Sequence, residues 1–315
     1  MKSNWELSHS GIFARDLENT VRYYQSLGLA PEIASPPRIP NPSVKSVTIE
    51  FGQEVHLPGT PERPFLRLIY IGDLELEVLR APAERPAGEA LAYGEGINHV
   101  CFNVPDIDWE TEELVKKGFR IVQDAKRDGV RVEDYLDTRE FGNIFLSFRP
   151  LQTEEVKKRK AGYRIVDWKF LGHSAVVKDV DNTIRYYQSM DIASVQPPAV
   201  FDSSSIENLK AHGKTPKTAI RAKTRVFNIG PVSYELVQPI EGEGIYKENL
   251  DRRGEGIIDL TFVVEDLERE TAKLAGKGVP VIFSGQPRTG SAFAFFDTRK
   301  EGGDAMIKLV QRVSG

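Results

Sequence analysis

Hydrophobic and polar positions along the chain form short alternating runs and amphipathic stretches in a fixed order. The run Leu7–Ala14 has the period of two typical of a half-buried strand. The stretch Leu17–Leu27 has apolar positions at helical spacing and ends at Gly28, a common signal for the end of a helix. Three strand-like runs follow, at Val44–Phe51, Phe65–Ile71 and Leu74–Arg80. The pattern predicts a unit of one strand, one helix and three strands.

The same order recurs further along the chain. Asn98–Val104 predicts a strand and Trp109–Lys117 predicts a helix. Three strand-like runs come next, at Phe119–Gln123, Arg131–Asp137 and Ile144–Arg149. The first 150 residues therefore contain two copies of the unit.

Three phrases show that the second half of the chain repeats the first. Arg15–Ser26 returns almost unchanged as Lys178–Ser189, 163 residues later. The other two phrases return 160 residues later, Gly94–Ile97 as Gly254–Ile257 and Asp137–Arg139 as Asp297–Arg299. Three phrases in one order indicate a duplication. We predict an α+β protein of four βαβββ modules, with domains at 1–150 and 165–315 and a charged linker at 151–164.

Composition narrows the classes of function. With 42 Lys+Arg against 46 Asp+Glu, the net charge of −4 argues against a nucleic-acid or acidic-membrane partner. The hydrophobic share of 40% and the charged share of 28% are typical of a globular protein. Cys101 is the single cysteine, which excludes an intrachain disulfide and a cysteine-rich zinc site. No run of signal-peptide or membrane-span length occurs, and we expect a cytoplasmic protein.

Two histidines stand at matching places in the first two modules. His9 precedes Asp16 by seven residues, and His99 precedes Asp106 by seven residues. A repeated βαβββ unit with this phrase after its first strand resembles the vicinal oxygen chelate superfamily, which includes glyoxalase I, methylmalonyl-CoA epimerase and the extradiol dioxygenases. The resemblance covers about residues 5–150 and 165–313, and the epimerase-like branch is nearest. It implies that the four modules pair into two open, cup-shaped mixed sheets.

The resemblance also implies a metal site in the cup of the first half, with ligands from the first and last strands of each module. Carried over to this sequence, the ligands are His9, Glu77 and His99. Leu146 is assigned to the place where the family usually has a glutamate, and leucine cannot coordinate. Two imidazoles and a carboxylate suit Fe(II), Mn(II), Co(II), Ni(II) or Zn(II).

The second half departs from this ligand set. Glu235 matches Glu77, but Lys308 and Asp259 stand at the other ligand places. An ungapped comparison puts Gly172 in the place of His9, with His173 one residue out of step. A lysine repels a cation and pairs with a carboxylate instead, so we expect this half to be structural or to shape the substrate site.

Proton transfer in this family requires a base near the metal. Glu75 lies two residues from Glu77, and strand alternation puts the two on one face, which makes Glu75 the first candidate. Glu50 and Glu133 are weaker candidates. Arg67 offers a planar fork for a substrate carboxylate.

Three functions remain open. The first is a metal-dependent isomerase or lyase that chelates a small oxygenated substrate and abstracts an α-proton. The second is an extradiol-type Fe(II) dioxygenase, since two histidines and a glutamate also form the ligand set for oxygen activation. The third is a metal-free protein that binds a small molecule in the cup. The substrate and the oligomeric state are not defined by the sequence.

Overall fold

The structure is a computed structural model that describes residues 4–32, 46–50, 53–55, 66–80, 95–138 and 140–312. For residues 46–50 and 53–55 it describes the backbone only. The chain divides into two compact units. The first consists of Lys2–Glu140 and Ile144–Val166, and the second of Asp167–Gly315 with Phe141–Asn143.

The first unit is a mixed sheet with helices along the chain between its strands. Its helices are α1 (Leu17–Ser26), α2 (Ile107–Lys116) and α3 (Glu154–Ala161). Its strands are β1 (Glu6–Ala14), β2 (Ser46–Glu50), β3 (Gln53–Val55), β4 (Leu66–Ile71), β5 (Leu74–Arg80), β6 (Gly96–Val104), β7 (Ile121–Arg127), β8 (Val130–Leu136) and β9 (Phe145–Pro150). The strand order is β3-β2-β7-β8-β9-β6-β1-β5-β4, so the first strands of the two modules, β1 and β6, are neighbours at the centre.

The second unit repeats this plan with extra short strands. Its helices are α4 (Val180–Ser189), α5 (Ile245–Arg253) and α6 (Leu267–Gly276). Its strands are β10 (Lys169–Val176), β11 (Ala193–Val195), β12 (Ala199–Asp202), β13 (Ile206–Ala211), β14 (Arg221–Ile229), β15 (Val232–Glu241), β16 (Gly256–Ile257), β17 (Asp259–Val264), β18 (Val281–Pro287), β19 (Phe293–Phe296) and β20 (Met306–Gln311). The order along the sheet is β11-β14-β15-β10-β17-β20-β19-β18-β13, with β12 paired to β14 and β16 to β10.

These sheets confirm the predicted α+β class. In both units the first strand pairs in parallel with the last strand of its own module and antiparallel with the first strand of the next. Neither sheet closes into a barrel in the described residues, because the strand orders end in β3 and β4 and in β11 and β13. In each unit, a strand from the first of its two modules pairs with a strand of the second module. In the first unit β2 pairs with β7, and in the second unit β13 pairs with β18.

One aspartate starts the helix of each of the four modules. Asp16, Asp106, Asp179 and Asp266 each precede a helix and accept a hydrogen bond from the backbone N–H three residues later, at 2.9 to 3.0 Å. These bonds satisfy N–H groups that the first helical turn leaves without partners. These four aspartates are therefore the N-caps of α1, α2, α4 and α6.

Helices α1 and α4 bury equivalent faces. Tyr24 and Tyr187 are fully buried, whereas their neighbours Tyr23 and Tyr186 are not. One ring of each tyrosine pair therefore packs in the core.

The segment predicted as a linker contains helix α3. Thr153 caps its first turn by accepting a bond from the backbone N–H of Val156 at 3.4 Å. Glu154 and Glu155 lie at the start of the helix and three basic residues at its end, which suits the helix dipole. Lys157 reaches Glu6 of β1 at 2.8 Å, so the helix lies on the first unit. None of the helices in the described ranges has the length and apolar character needed to cross a bilayer.

Candidate metal centre

Three strands at the middle of the first sheet bring His9, Glu77 and His99 together. Gly11 of β1 pairs with Glu77 of β5 on one side and with His99 of β6 on the other, and His9 lies two residues back along β1. His9 Nε2 is 2.9 Å from Glu77 Oε2 and 3.1 Å from His99 Nε2. His99 Nε2 is 3.7 Å from the same Glu77 Oε2. All three residues are buried, and we call these three atoms the ligand triangle.

The ligand triangle fits a divalent ion. Atoms bound about 2.1 Å from one ion lie roughly 3 to 3.4 Å from each other, which is close to the three observed separations. Among the described residues, one other group has three such ligand atoms within 4.8 Å of one another, and it consists of His9, Cys101 and Glu133.

Gly11 makes room for the ring of His99. A Cβ at this position would lie 1.8 Å from Cε1 of the His99 ring, far closer than two non-bonded carbons can approach. The ring therefore lies across the backbone of β1, where Nε2 reaches His9. A side chain at position 11 would separate the two imidazoles.

Neighbouring residues set the histidine tautomers. His99 Nδ1 donates to Asn98 Oδ1 at 2.6 Å, which leaves Nε2 with the lone pair that a metal needs. His9 Nδ1 lies 3.1 Å from Ser8 Oγ. Burial and the nearby Arg149 guanidinium lower the pKa of His9 from 6.5 to about 4, so the ring is neutral at pH 7.

Arg149 of β9 lies against the outer atoms of the ligands. Its Nη2 is 3.5 Å from Glu77 Oε1, and its Nη1 is 3.5 Å from His9 Nδ1. Burial opposes ionisation of Glu77, but Arg149 and His9 outweigh it and hold the pKa of Glu77 well below its usual range. The same Nη2 of Arg149 pairs with Glu133 Oε1 at 2.7 Å.

The fourth strand position of the site is occupied by Ser147 and not by Leu146. Ser147 pairs with Cys101, two residues after His99, just as Glu77 pairs with Gly11, two residues after His9. The assignment of Leu146 was therefore wrong by one residue, and alternation turns Leu146 to the opposite face of the sheet. Tyr135 of β8 is the cross-strand neighbour of Ser147, and its Oη lies 3.2 Å from His99 Nε2.

Glu75 lies on the same face as Glu77 and is held by two partners. Lys160 of α3 contacts Glu75 Oε2 at 2.6 Å, and the Tyr70 hydroxyl donates to the same oxygen at 2.7 Å. Glu50 ends β2, and its side chain lies outside the described residues. The structure therefore brings one of the two predicted bases to the correct face, with one of its two oxygens, Oε2, already engaged.

Arg67 does not reach the site. It pairs with Val78, so it lies on the opposite face of β4 from Leu68, the partner of Glu77. Its Nη2 contacts Glu18 of α1 at 2.8 Å. The prediction that Arg67 binds substrate in the cup fails because strand alternation turns this side chain to the helix side.

The corresponding place in the second unit contains an internal ion pair. Lys308 Nζ lies 2.5 Å from Glu235 Oε2 and 3.3 Å from Ser174 Oγ, as expected for a lysine in this cup. Gly172 occupies the place of His9, two residues before the partner of Glu235. His173 pairs with Tyr234 and contacts the backbone oxygen of Asp259 at 2.8 Å, so a one-residue shift does not restore a ligand.

Sequence reasoning missed Arg149, Tyr135 and Ser147. Each comes from β8 or β9, at a position that no repeated phrase marks. Alternation gives one usable signal, because Ser147 and Arg149 share a face of β9.

Comparison with known proteins identifies the family. The family model described as the Glyoxalase/Bleomycin resistance protein/Dioxygenase superfamily matches residues 8–134 and 174–295. The chain belongs to this superfamily, which confirms the resemblance predicted from its modules. No curated protein sequence matches the chain.

Solved structures that are similar to the chain have low sequence identity. A triple mutant of 4-hydroxymandelate synthase from Streptomyces coelicolor is 12% identical, with a TM-score of 0.64 over 98% of this chain and 93% of that chain. A xylose isomerase-like TIM barrel/4-hydroxyphenylpyruvate dioxygenase fusion protein is 13% identical, with a TM-score of 0.56 over 98% of this chain and 49% of that chain. Methylmalonyl-CoA epimerase from Mycobacterium tuberculosis is 19% identical, with a TM-score of 0.37 over 46% of this chain and 89% of that chain.

Proposed function

We propose that the protein is a metal-dependent enzyme that holds one divalent ion on His9, His99 and Glu77. The observation that carries the proposal is the ligand triangle, whose separations of 2.9, 3.1 and 3.7 Å suit ligands of one ion. A bound ion of this kind supplies Lewis acidity and exchangeable positions for a substrate with two neighbouring oxygens.

We further propose dioxygenase chemistry with Fe(II). Two imidazoles and one carboxylate with open positions form the ligand set of non-haem Fe(II) oxygenases. Ser147 at the fourth strand position adds no carboxylate to this set. The chain's own part is to present the three ligand atoms, to keep His9 neutral and to bury the ligands away from bulk water.

The alternative isomerase or lyase needs a carboxylate that is free to accept a proton. Glu75 is paired with Lys160, and Glu133 is paired with Arg149. This engagement supports the dioxygenase over the isomerase, which ranked first on sequence alone.

Oxygen uptake tests the reaction type. Protein loaded with Fe(II) without oxygen is mixed with oxygenated buffer and either a catechol or 4-hydroxyphenylpyruvate. We expect substrate-dependent oxygen consumption that His99→Ala abolishes and His173→Ala retains, because His173 lies in the second unit. Deuterium transfer from D₂O to the α-carbon of recovered substrate, with no oxygen uptake, would instead support the isomerase.

A further inference from the structure

A second carboxylate lies next to the ligand triangle without belonging to it. Glu133 Oε1 is 3.4 Å from the Tyr135 hydroxyl, which in turn is 3.2 Å from His99 Nε2. A carboxylate oxygen of Glu133 is also within 4.8 Å of a ring nitrogen of His9. One hydroxyl group therefore separates Glu133 from the ligand triangle.

Arg149 holds Glu133 in this place. The two residues lie on adjacent strands, and Arg149 Nη2 pairs with Glu133 Oε1 at 2.7 Å. The same guanidinium is fixed at 3.5 Å from Glu77 Oε1 and at 3.5 Å from His9 Nδ1. Both of these atoms belong to the ligands but not to the ligand triangle, so Arg149 lies behind the ligands.

The charges explain what this arrangement prevents. Without Arg149, Glu133 and Glu77 would be two carboxylates facing one divalent ion, and Coulomb attraction would draw Glu133 toward that ion. Each protein ligand fills one coordination position of the ion, so a fourth protein ligand leaves one position fewer for substrate than three ligands do.

In the second unit, a cationic side chain lies closer to the carboxylate than Arg149 lies to Glu77. Lys308 occupies the strand position that corresponds to Ser147, and its amine bonds directly to Glu235, the counterpart of Glu77. Arg149 stands two residues further along its strand than Ser147. Its charge therefore reaches Glu133 and the outer oxygen of Glu77, while the inner oxygen stays in the ligand triangle.

We propose that Arg149 withholds Glu133 from the metal and so keeps coordination positions open for the substrate. Arg149 is a positioning residue in this account, because it acts through Glu133 and the ligands. The inference rests on the proposed metal site and adds to it a reason for its open coordination.

Cobalt binding and oxalate binding test the inference without an assay of activity. Each protein is titrated with Co(II), its visible spectrum is recorded, and oxalate is then added as a probe with two neighbouring oxygens. For Arg149→Met we expect tighter Co(II) binding, on the scale of about 10- to 100-fold that outer-shell changes produce, and a changed spectrum. Oxalate affinity should fall by about tenfold or more, because Glu133 fills the position that the probe needs.

Three further variants serve as controls. Arg149→Met combined with Glu133→Gln should regain oxalate affinity, because no second carboxylate remains. Arg149→Lys keeps the positive charge and should retain the wild-type spectrum. Glu133→Gln alone should also retain the wild-type spectrum, since Glu133 is not a ligand, and this comparison stands even where Arg149→Met does not fold.

Two results would overturn the inference. One is a changed cobalt spectrum in Glu133→Gln, which would show that Glu133 already coordinates. The other is weaker cobalt binding in Arg149→Met that the double variant does not relieve. Failure of the wild type to bind one Co(II) per chain is a separate result, which would contradict the proposed metal site itself.

Discussion

At the scale of single residues, Gly11 decides whether the two histidines meet. The His99 ring occupies the space where a Cβ at position 11 would lie. The second unit has Ser174 at the corresponding place and Asp259 opposite, with Ser174 N donating to Asp259 Oδ1 at 3.2 Å. In the second unit, the position of Gly11 therefore carries a side chain, and the position of His99 carries the shorter Asp259.

The substitution Gly11→Ala should remove His99 from the site. Its methyl group would overlap the imidazole, so the ring must turn away and metal affinity should fall by about tenfold or more. Calorimetric titration with Zn(II) or Co(II) measures the change. Gly276→Ala is the matched control, because no atom lies within 4 Å of its Cβ. Equal metal affinity in Gly11→Ala would show that the ring has another stable position.

His173 provides a test of pH dependence away from the proposed metal. Burial lowers its pKa from 6.5 to about 4, so as pH falls from 6.5 to 4 the unfolded chain takes up a proton that the folded chain refuses. Stability is therefore lost as pH falls through this window, by up to about 3 kcal/mol from this residue.

The substitution His173→Asn removes that loss and keeps an N–H donor for the backbone oxygen of Asp259. Urea unfolding of both proteins between pH 4 and pH 8 should show the free energy of unfolding falling more steeply with acid in the wild type. Parallel curves for the two proteins would mean that His173 does not resist protonation.

At the scale of elements, the repeated phrases have structural roles. Glu95 and Glu255 accept from the backbone N–H of Arg15 and Lys178, at 2.9 and 2.7 Å. Thr298 Oγ1 donates to the backbone oxygen of Ala305 at 2.6 Å, and Thr138 makes the equivalent bond to Ile144. These contacts fix loops and helix starts in both units. The phrases therefore reveal the duplication and the fold, while the ligands differ between the units.

The strands, the helices and the three candidate ligands could be predicted from the sequence for physical reasons. Strand β5 and the ligands His9, Glu77 and His99 lie in local patterns that alternation and repetition expose. The sequence pattern assigns Leu146 to the strand position that Ser147 occupies, because an error of one residue in register exchanges the two faces of a strand. Arg149, the partner of Glu77, and Lys160, the partner of Glu75, come from parts of the chain that are distant in sequence. A local sequence pattern does not predict such contacts.

Lys308 and Glu235 are predicted to stabilise the second unit as a pair. Substitution of Lys308 by methionine leaves Glu235 uncompensated, and Glu235 is partly exposed, so we expect a loss of about 2 to 3 kcal/mol in the free energy of unfolding. Lys308→Met with Glu235→Leu should regain most of this loss. Unfolding in urea measures both proteins, and an unchanged midpoint in Lys308→Met would show that the pair is not stabilising.

At the scale of the whole molecule, duplication has produced two units with one plan and different centres. The first unit brings two imidazoles and a carboxylate together, with Arg149 behind them. The second places the ammonium group of Lys308 against Glu235, where a divalent cation would be repelled. The proposed stoichiometry is therefore one metal ion per chain, in the first unit.

Metal content tests this central assignment most directly. Protein equilibrated with Fe(II) or Co(II) and freed of excess metal is measured by elemental analysis, together with His99→Ala and His173→Ala. The account predicts about one ion per chain in the wild type and in His173→Ala, and a near-complete loss in His99→Ala. No bound ion in the wild type, or equal content in His99→Ala, would contradict it.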